Sequence, residues 1–412
     1  MRLSAPTAAT ALPAAPLAPG RFALPQPLGA QTSYLCGHSL GAMPVAAQGA
    51  LETARLQWAQ SGVQAWFDGD EAWVGRADRI ATQLGHLLGA QPASVRAFNH
   101  LSSHIHALLL HFGRPRGRRR KILYEAGAFP SDRFALHSVA TLLGLDPDTD
   151  LIAFGGDGAP DAAPHSLVDE DALGAAIAEQ GEELNLLYWS GVAYLNGQAF
   201  DIARLTQAAQ AVGAHAVFDL AHAAGNVALA LEDWGVDAAC WCHYKYLNAG
   251  PGAVGGLYLH PRHHAAGPPL AGWWGHEPQA RFGAGEDFHP RPGAAGWESG
   301  TPPILGYALL EAALAEHLRV GMPAVARAGH ALCADLAGRL RAGGLTLLTP
   351  PQAHGAMLSL WAGDEAPALF ARLRDSGILG DLRPPGIIRL ALAPLYNGPA
   401  DCDRVCAALL GG

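Results

Sequence analysis

FDLAHAAGN (residues 218–226) and WGVDAACWCHYKYLNAGPGAVGG (residues 234–256) are the stretches on which the reading of this chain turns. The first continues a short apolar strand, AHAVFD (214–219), whose last residue is a carboxylate, Asp219. The second carries Lys245 between two tyrosines, ahead of a glycine-rich turn. Composition makes that lysine stand out: of 27 basic residues only Lys121 and Lys245 are lysines. Arginine replaces lysine on a surface, but it forms no imine with an aldehyde. A chain that keeps lysine here points to chemistry that needs an amine. A strand-end aspartate and a downstream lysine are the two protein groups that pyridoxal 5'-phosphate requires. The lysine binds the aldehyde, and the aspartate keeps the ring nitrogen protonated so that the ring withdraws electrons.

Upstream of that stretch the pattern alternates regularly. KILYEAGAF (121–129) reads as a strand, RFALHSVATLLGL (133–145) as a helix and LIAFG (151–155) as a strand. DALGAAIAEQ (171–180) reads as a helix, LNLLYWSG (184–191) as a strand and DIARLTQAAQAVG (201–213) as a helix. Nearly continuous apolar strands separated by helices predict an α/β fold: a buried, mostly parallel sheet with helices on both faces. Ligands of such sheets sit beyond the carboxyl ends of the strands. Ser102, Phe129 to Asp132, Ser190 and Asp219 all fall there. SVRAFNHLSSHIHALLLHF (94–112) passes from strand to helix with Ser102 and Ser103 in the first turn, a ready seat for a phosphate. Its His100, His104, His106 and His111 lack an E-x-x-H partner or a nearby cysteine, so no metal is expected.

Downstream, a long Gly-, Pro- and Trp-rich loop runs from Gly267 to Pro303, followed by an interrupted helical pattern from Leu305 to Ala342. LTLLT, AMLSLWAG, a helix, GIIRLALAPLYN and a last helix then predict a small α+β domain. The domain reading is a flexible arm over 1–30, a large cofactor-binding domain over 31–304 and a small C-terminal domain over 305–412, with part of the N-terminal segment packed on it. Gly37-His38-Ser39-Leu40-Gly41 matches the nucleophile elbow G-x-S-x-G in form. Only a few extended residues precede it and Pro44 follows closely, so a Gly-rich turn near a ligand is the better reading. A serine hydrolase acting through Ser39 stays as an alternative.

The net charge of −9 argues against nucleic acid, and the basic run RPRGRRRK (114–121) reads as a solvated loop. Six scattered cysteines without a C-x-x-C pair read as free thiols of a cytoplasmic protein. No apolar run reaches membrane-spanning length, so no membrane partner is expected.

Taken together, FDLAHAAGN, DWGVDAACWCHYKYLNAGPG, GWWGHE, AFPSD, SGTPPI and RLALAPLYN closely resemble kynureninase, in order and spacing, from about residue 34 onward. The resemblance implies a fold type I pyridoxal-phosphate enzyme, its large domain built on a mostly parallel sheet of the seven-stranded type, acting as a homodimer. It implies hydrolysis of kynurenine or 3-hydroxykynurenine to an anthranilate and L-alanine, a step of tryptophan catabolism on the kynurenine pathway that also serves NAD biosynthesis. By the same resemblance Lys245 is the cofactor-bearing lysine, and Tyr244 a phosphate contact and acid/base. Asp219 pairs with the ring nitrogen, with His222 close by. Leu101 and Ser102 hold the phosphate, Phe129 stacks on the ring, and Asp132 and Ser190 make polar cofactor contacts. Trp273 and Thr301 reach the cofactor of the neighbouring subunit, and Arg389 binds the substrate carboxylate. Animal members carry a histidine in a longer segment ahead of the match to GDEAWVG. Here that segment is short and holds Trp66, a departure that bears on whether a ring-hydroxylated substrate is taken. Related pyridoxal enzymes, an aminotransferase or a desulfurase, are the nearer alternatives.

Overall fold

A seven-stranded sheet forms the centre of the molecule, in the order Val95–Phe98, Gly255–Leu259, Ala238–Cys242, His215–Asp219, Leu184–Ser190, Lys121–Glu125, Leu151–Phe154. The computed structural model describes residues 11–29, 32–69, 71–156, 163, 165–283, 285 and 287–411. Gly255–Leu259 runs antiparallel to both of its neighbours, and the remaining pairs are parallel. Both faces are covered. Along Leu184–Ser190, Leu187 and Trp189 join one core cluster while Leu186 and Tyr188 join the other. A strand buried on both sides has no polar face, which is why these segments read as unbroken apolar runs.

The strand Ala238–Cys242, AACWC, was not separately legible as an element. It pairs with the strand ending at Asp219 and brings its own end to the same edge, so Lys245 lies just beyond a strand terminus.

The helical pattern expected over 305–342 is two helices, Ile304–Val320 and Met322–Ala342. They separate at Gly321, whose φ of 85° is open to glycine and strained for any other residue. Pro323 in the first turn of the second helix costs no hydrogen bond there.

A second, antiparallel sheet in the order Thr346–Leu347, Met357–Trp361, Ile387–Ala391, Asp381–Arg383 packs on Leu332, Leu336, Leu340, Val405 and Leu409 of two helices. The N-terminal segment reaches it. Ser33–Tyr34 pairs in parallel with Ile378–Leu379, and Leu35 is buried in the same cluster. Leu17 and Ala18 donate their amides to the Pro394 and Leu395 carbonyls at 2.8 and 3.0 Å. The first ten residues of the expected arm, and residue 30, lie outside the described residues. Among the described residues no helix is long and apolar enough to cross a membrane.

Candidate active site

The Lys245 turn is built from the sheet edge outward. Trp241 Nε1 donates to His243 Nε2 at 2.9 Å, so the imidazole proton sits on Nδ1 and is given to the Val254 carbonyl at 2.7 Å. Gly256 lies directly across from Trp241 in the ladder, and a Cβ there would meet the indole at 2.1 Å. A bare glycine is the price of placing a tryptophan under this turn. On the other side Gly41 donates its amide to the Tyr244 carbonyl at 2.8 Å, and a Cβ on Gly41 would meet the Lys245 carbonyl at 2.3 Å. Gly41 of GHSLG therefore serves close packing against the lysine turn, while a Cβ on Gly37 would meet the Tyr396 hydroxyl at 2.7 Å. Ser39 is exposed on a turn that follows no strand of the central sheet, and the next helix, Val45–Ser61, begins only after the short strand Met43–Pro44, so the strand–turn–helix context of a nucleophile elbow is missing.

A cavity of about 480 Å³ opens at this edge. Leu101, Ser102, Phe129, Asp132, Ser190, Asp219, His222, Tyr244, Lys245 and Arg389 all line it. Leu101 is the first residue of the helix Leu101–Phe112, and His100 ahead of it caps no amide with its side chain. Free amides and the Ser102 hydroxyl thus face one end of the cavity, a cradle for a dianionic group. Gly255 keeps the neighbouring strand against this turn: a Cβ there would lie 2.9 Å from the Leu101 nitrogen.

Three carboxylates converge deeper in. Asp219 accepts the Ala221 amide at 2.8 Å, Asp132 accepts the Tyr188 hydroxyl at 2.6 Å, and Glu125 accepts the Ser190 hydroxyl at 2.5 Å. Burial, and then the nearby Asp132 charge, push the Asp219 carboxyl well above its usual range. Burial pushes Glu125 up to about 7. Asp132 is buried and Asp219, partly open to the cavity, lies beside it; such a pair is costly to ionise without a cation between or beside it. A protonated pyridine nitrogen would supply that cation, and the amine of Lys245 and the open helix start at Leu101 and Ser102 share the same cavity, so the residues present fit pyridoxal phosphate.

At the rim Phe129 meets Tyr194 edge-on with ring centres 5.1 Å apart. His222 is buried with Nδ1 unpartnered, and burial lowers its pKa well below the ordinary imidazole value. Arg389, 2% exposed, is ion-paired with Asp381 and donates Nη1 to the Tyr194 carbonyl at 2.6 Å. Glu125, Tyr194, Arg383 and Asp381 were not singled out from sequence. Glu125 carried a signal, since it ends the strand KILYE as Asp219 ends AHAVFD. The others carried none.

Trp273 and Thr301 do not line this cavity. Trp273 is half exposed and donates Nε1 to the Arg281 carbonyl at 3.0 Å. Trp274 stacks obliquely on Trp66 at 5.2 Å. At the opposite sheet edge the ligand atoms of His215, Asp237 and His263 lie within 4.8 Å of one another. Arg262 Nε donates to the same Asp237 oxygen at 3.0 Å, and the carboxylate's other oxygen accepts the Ala216 amide at 2.9 Å, so a cation is already in place.

Comparison with known proteins bears on the same residues. A family model described as the kynureninase C-terminal domain matches residues 326–409. The chain is 43% identical over 393 residues to a kynureninase of Xanthomonas campestris pv. campestris (strain B100), covering 93% of this chain and 92% of the relative. It is 43% identical over 404 residues to a kynureninase of Stenotrophomonas maltophilia (strain K279a), covering 95% and 94%. Among solved structures, a C-DES mutant with glycine covalently linked to the PLP cofactor superposes with a TM-score of 0.75 at 18% identity, covering 92% of this chain and 97% of the other. A cysteine desulfurase from Thermococcus onnurineus NA1 gives 0.75 at 19% identity, covering 90% and 92%. At that identity the likeness is one of fold.

Proposed function

The chain belongs to the kynureninase family, and on that premise we propose that it hydrolyses the Cβ–Cγ bond of L-kynurenine to release anthranilate and L-alanine. It is a pyridoxal-phosphate-dependent enzyme. The observation that carries the reading is the sharing of one cavity by Lys245, the Asp132–Asp219 pair and the open start of the helix at Leu101.

The cofactor, when bound, supplies an electron sink for the bonds at the substrate's Cα and Cβ. Lys245 would hold it through its amine and would take the proton from the substrate's Cα. Asp219 keeps its charge opposite the ring nitrogen, a role its burial favours only with a cation beside it. Leu101, Ser102 and Tyr244 hold the phosphate, and Asp132 and Ser190 orient the polar groups of the ring. Phe129, which lines the same cavity, would pack against the ring, with His222 lining the cavity alongside Asp219. Tyr244 also moves the proton at the substrate ketone, where burial keeps its hydroxyl in the protonated form at neutral pH. Arg389 receives the substrate carboxylate.

Trp273 and Thr301 complete the site of a second copy in a homodimer. Their exposure and their absence from their own chain's cavity lining support that arrangement. The protein then works in the cytoplasm, in tryptophan catabolism on the kynurenine pathway. 3-Hydroxykynurenine, the precursor on the side leading to NAD, is the second candidate substrate; Trp66 packs on Trp73 and Trp274 and does not line the cavity.

The test is turnover by the purified holoenzyme of kynurenine and 3-hydroxykynurenine, with anthranilate read by fluorescence and alanine by amino-acid analysis. Equimolar anthranilate and alanine is the expected result. Alanine and sulfide from cysteine, with no product from either kynurenine, would replace this reading by a desulfurase.

A further inference from the structure

Asp381 sits directly opposite Arg389 across the antiparallel pair Asp381–Arg383 and Ile387–Ala391, and Arg383 is two residues on along the same face. One oxygen of Asp381, Oδ2, accepts from Arg389 Nε at 2.9 Å, from Arg389 Nη2, and from Arg383 Nε at 2.9 Å. His38 Nε2 lies 3.3 Å from the same oxygen. Arg389 Nη1 donates to the Tyr194 carbonyl at 2.6 Å. A guanidinium has five N–H groups: one on Nε and two on each terminal nitrogen. Asp381 takes the Nε side of the fork and Tyr194 takes one N–H of Nη1. One N–H therefore remains on each terminal nitrogen.

The charges close in the same way. Arg383 and Arg389 contribute two positive charges and Asp381 one negative. Burial lowers His38 to about 4 and lowers His222 further below its ordinary value, so both rings are neutral at pH 7. The cluster presents one net positive charge to the cavity, which matches a single carboxylate. Without Asp381, Arg389 would be a charge buried at 2% exposure without an anionic partner whenever substrate is absent.

We infer that Asp381 is the positioning residue for the substrate carboxylate: it holds Arg389 side-on, leaves both terminal nitrogens of that guanidinium a free N–H, and keeps Arg383 alongside. The inference rests on the proposed role of Arg389 and deepens it. Asp381 itself touches no substrate in this arrangement; it acts through the two arginines.

The experiment compares kynurenine with the amine that lacks its α-carboxylate, used as a competitive inhibitor, in wild-type holoenzyme and in Asp381→Ala, Asp381→Asn and Arg389→Ala. Asp381→Ala should raise KM for kynurenine about 10- to 100-fold, the worth of a charge-assisted hydrogen-bond set. Its kcat should change by less than about threefold and its Ki for the decarboxylated amine should stay unchanged. Asp381→Asn, which keeps the acceptor oxygen, should recover part of the lost affinity. If the alanine variant does not fold, the asparagine variant carries the same comparison with a smaller rise. Equal losses for kynurenine and for the amine, or an unchanged KM, would overturn the inference. Arg389→Ala separates the two levels. If it discriminates between the ligands while the Asp381 variants do not, only the inference falls. If it does not discriminate, the carboxylate reading of Arg389 falls with it.

Discussion

Replacing Glu125 by glutamine should remove a pH-dependent stability penalty whose size follows from the fold. Glu125 ends the strand Lys121–Glu125, is 6% exposed, and faces Ser190 and Asp132 across the cavity floor. Burial, opposed by the Ser190 hydrogen bond and reinforced by the Asp132 charge, raises its carboxyl from 4.5 to about 7. A raised acid pKa means the folded state holds the proton more tightly than the unfolded chain. Below 4.5 both states are protonated and the protein bears no cost. Between 4.5 and about 7 the unfolded chain releases its proton first and stability falls; above about 7 the loss is complete, at about 3 kcal/mol. Glutamine keeps the shape and an acceptor for Ser190 but has no proton to lose. Urea unfolding of the cofactor-free protein, followed by tryptophan fluorescence, should show the variant gaining about 2 to 3 kcal/mol on wild type between pH 5 and pH 8. Parallel pH profiles for the two proteins would refute the reasoning, because the carboxyl would then titrate alike folded and unfolded.

Borohydride reduction and peptide mapping should place the pyridoxyl group on Lys245; Lys121 is engaged with Glu183 and Gln180, and label there would sink the assignment. Asp219→Asn should still bind cofactor, as read by its visible absorbance, yet lose turnover by orders of magnitude because the ring nitrogen loses its counter-charge; near-normal activity would contradict the role. Mixing inactive Lys245→Ala with an inactive Trp273 and Thr301 double variant should restore part of the activity, since one site of the mixed dimer then carries neither lesion. Absence of complementation after proven subunit exchange would mean the Gly267–Pro303 loop serves its own chain.

Local signals carried much of this molecule. Lys245 stood out because arginine cannot replace an amine that must react. Asp219 stood out because a carboxylate closing an apolar strand has few structural uses. The alternation of apolar strands and helices implied a sheet buried on both faces, and a parallel sheet gathers its strand ends at one edge. Phe129, Asp132, Ser190 and the Leu101 helix start could therefore be placed together before any coordinates, and each lines the same cavity.

What remained depended on register and on contacts between distant segments. The antiparallel course of Gly255–Leu259 leaves no mark in its composition, because a strand buried on both faces is apolar in either direction. The purpose of GHSLG emerged only when Gly41 met the Lys245 carbonyl, a contact of two turns far apart in the chain. Glu125 ends its strand as Asp219 does, but its proton affinity was set only where Asp132 and Ser190 enclose it and burial takes hold. Asp381 opposes Arg389 through one cross-strand register, and a shift of a single residue would send that carboxylate to the other face. Composition and periodicity report what each segment does to its own backbone. The charge balance of the cavity comes from residues that only the tertiary fold sets side by side.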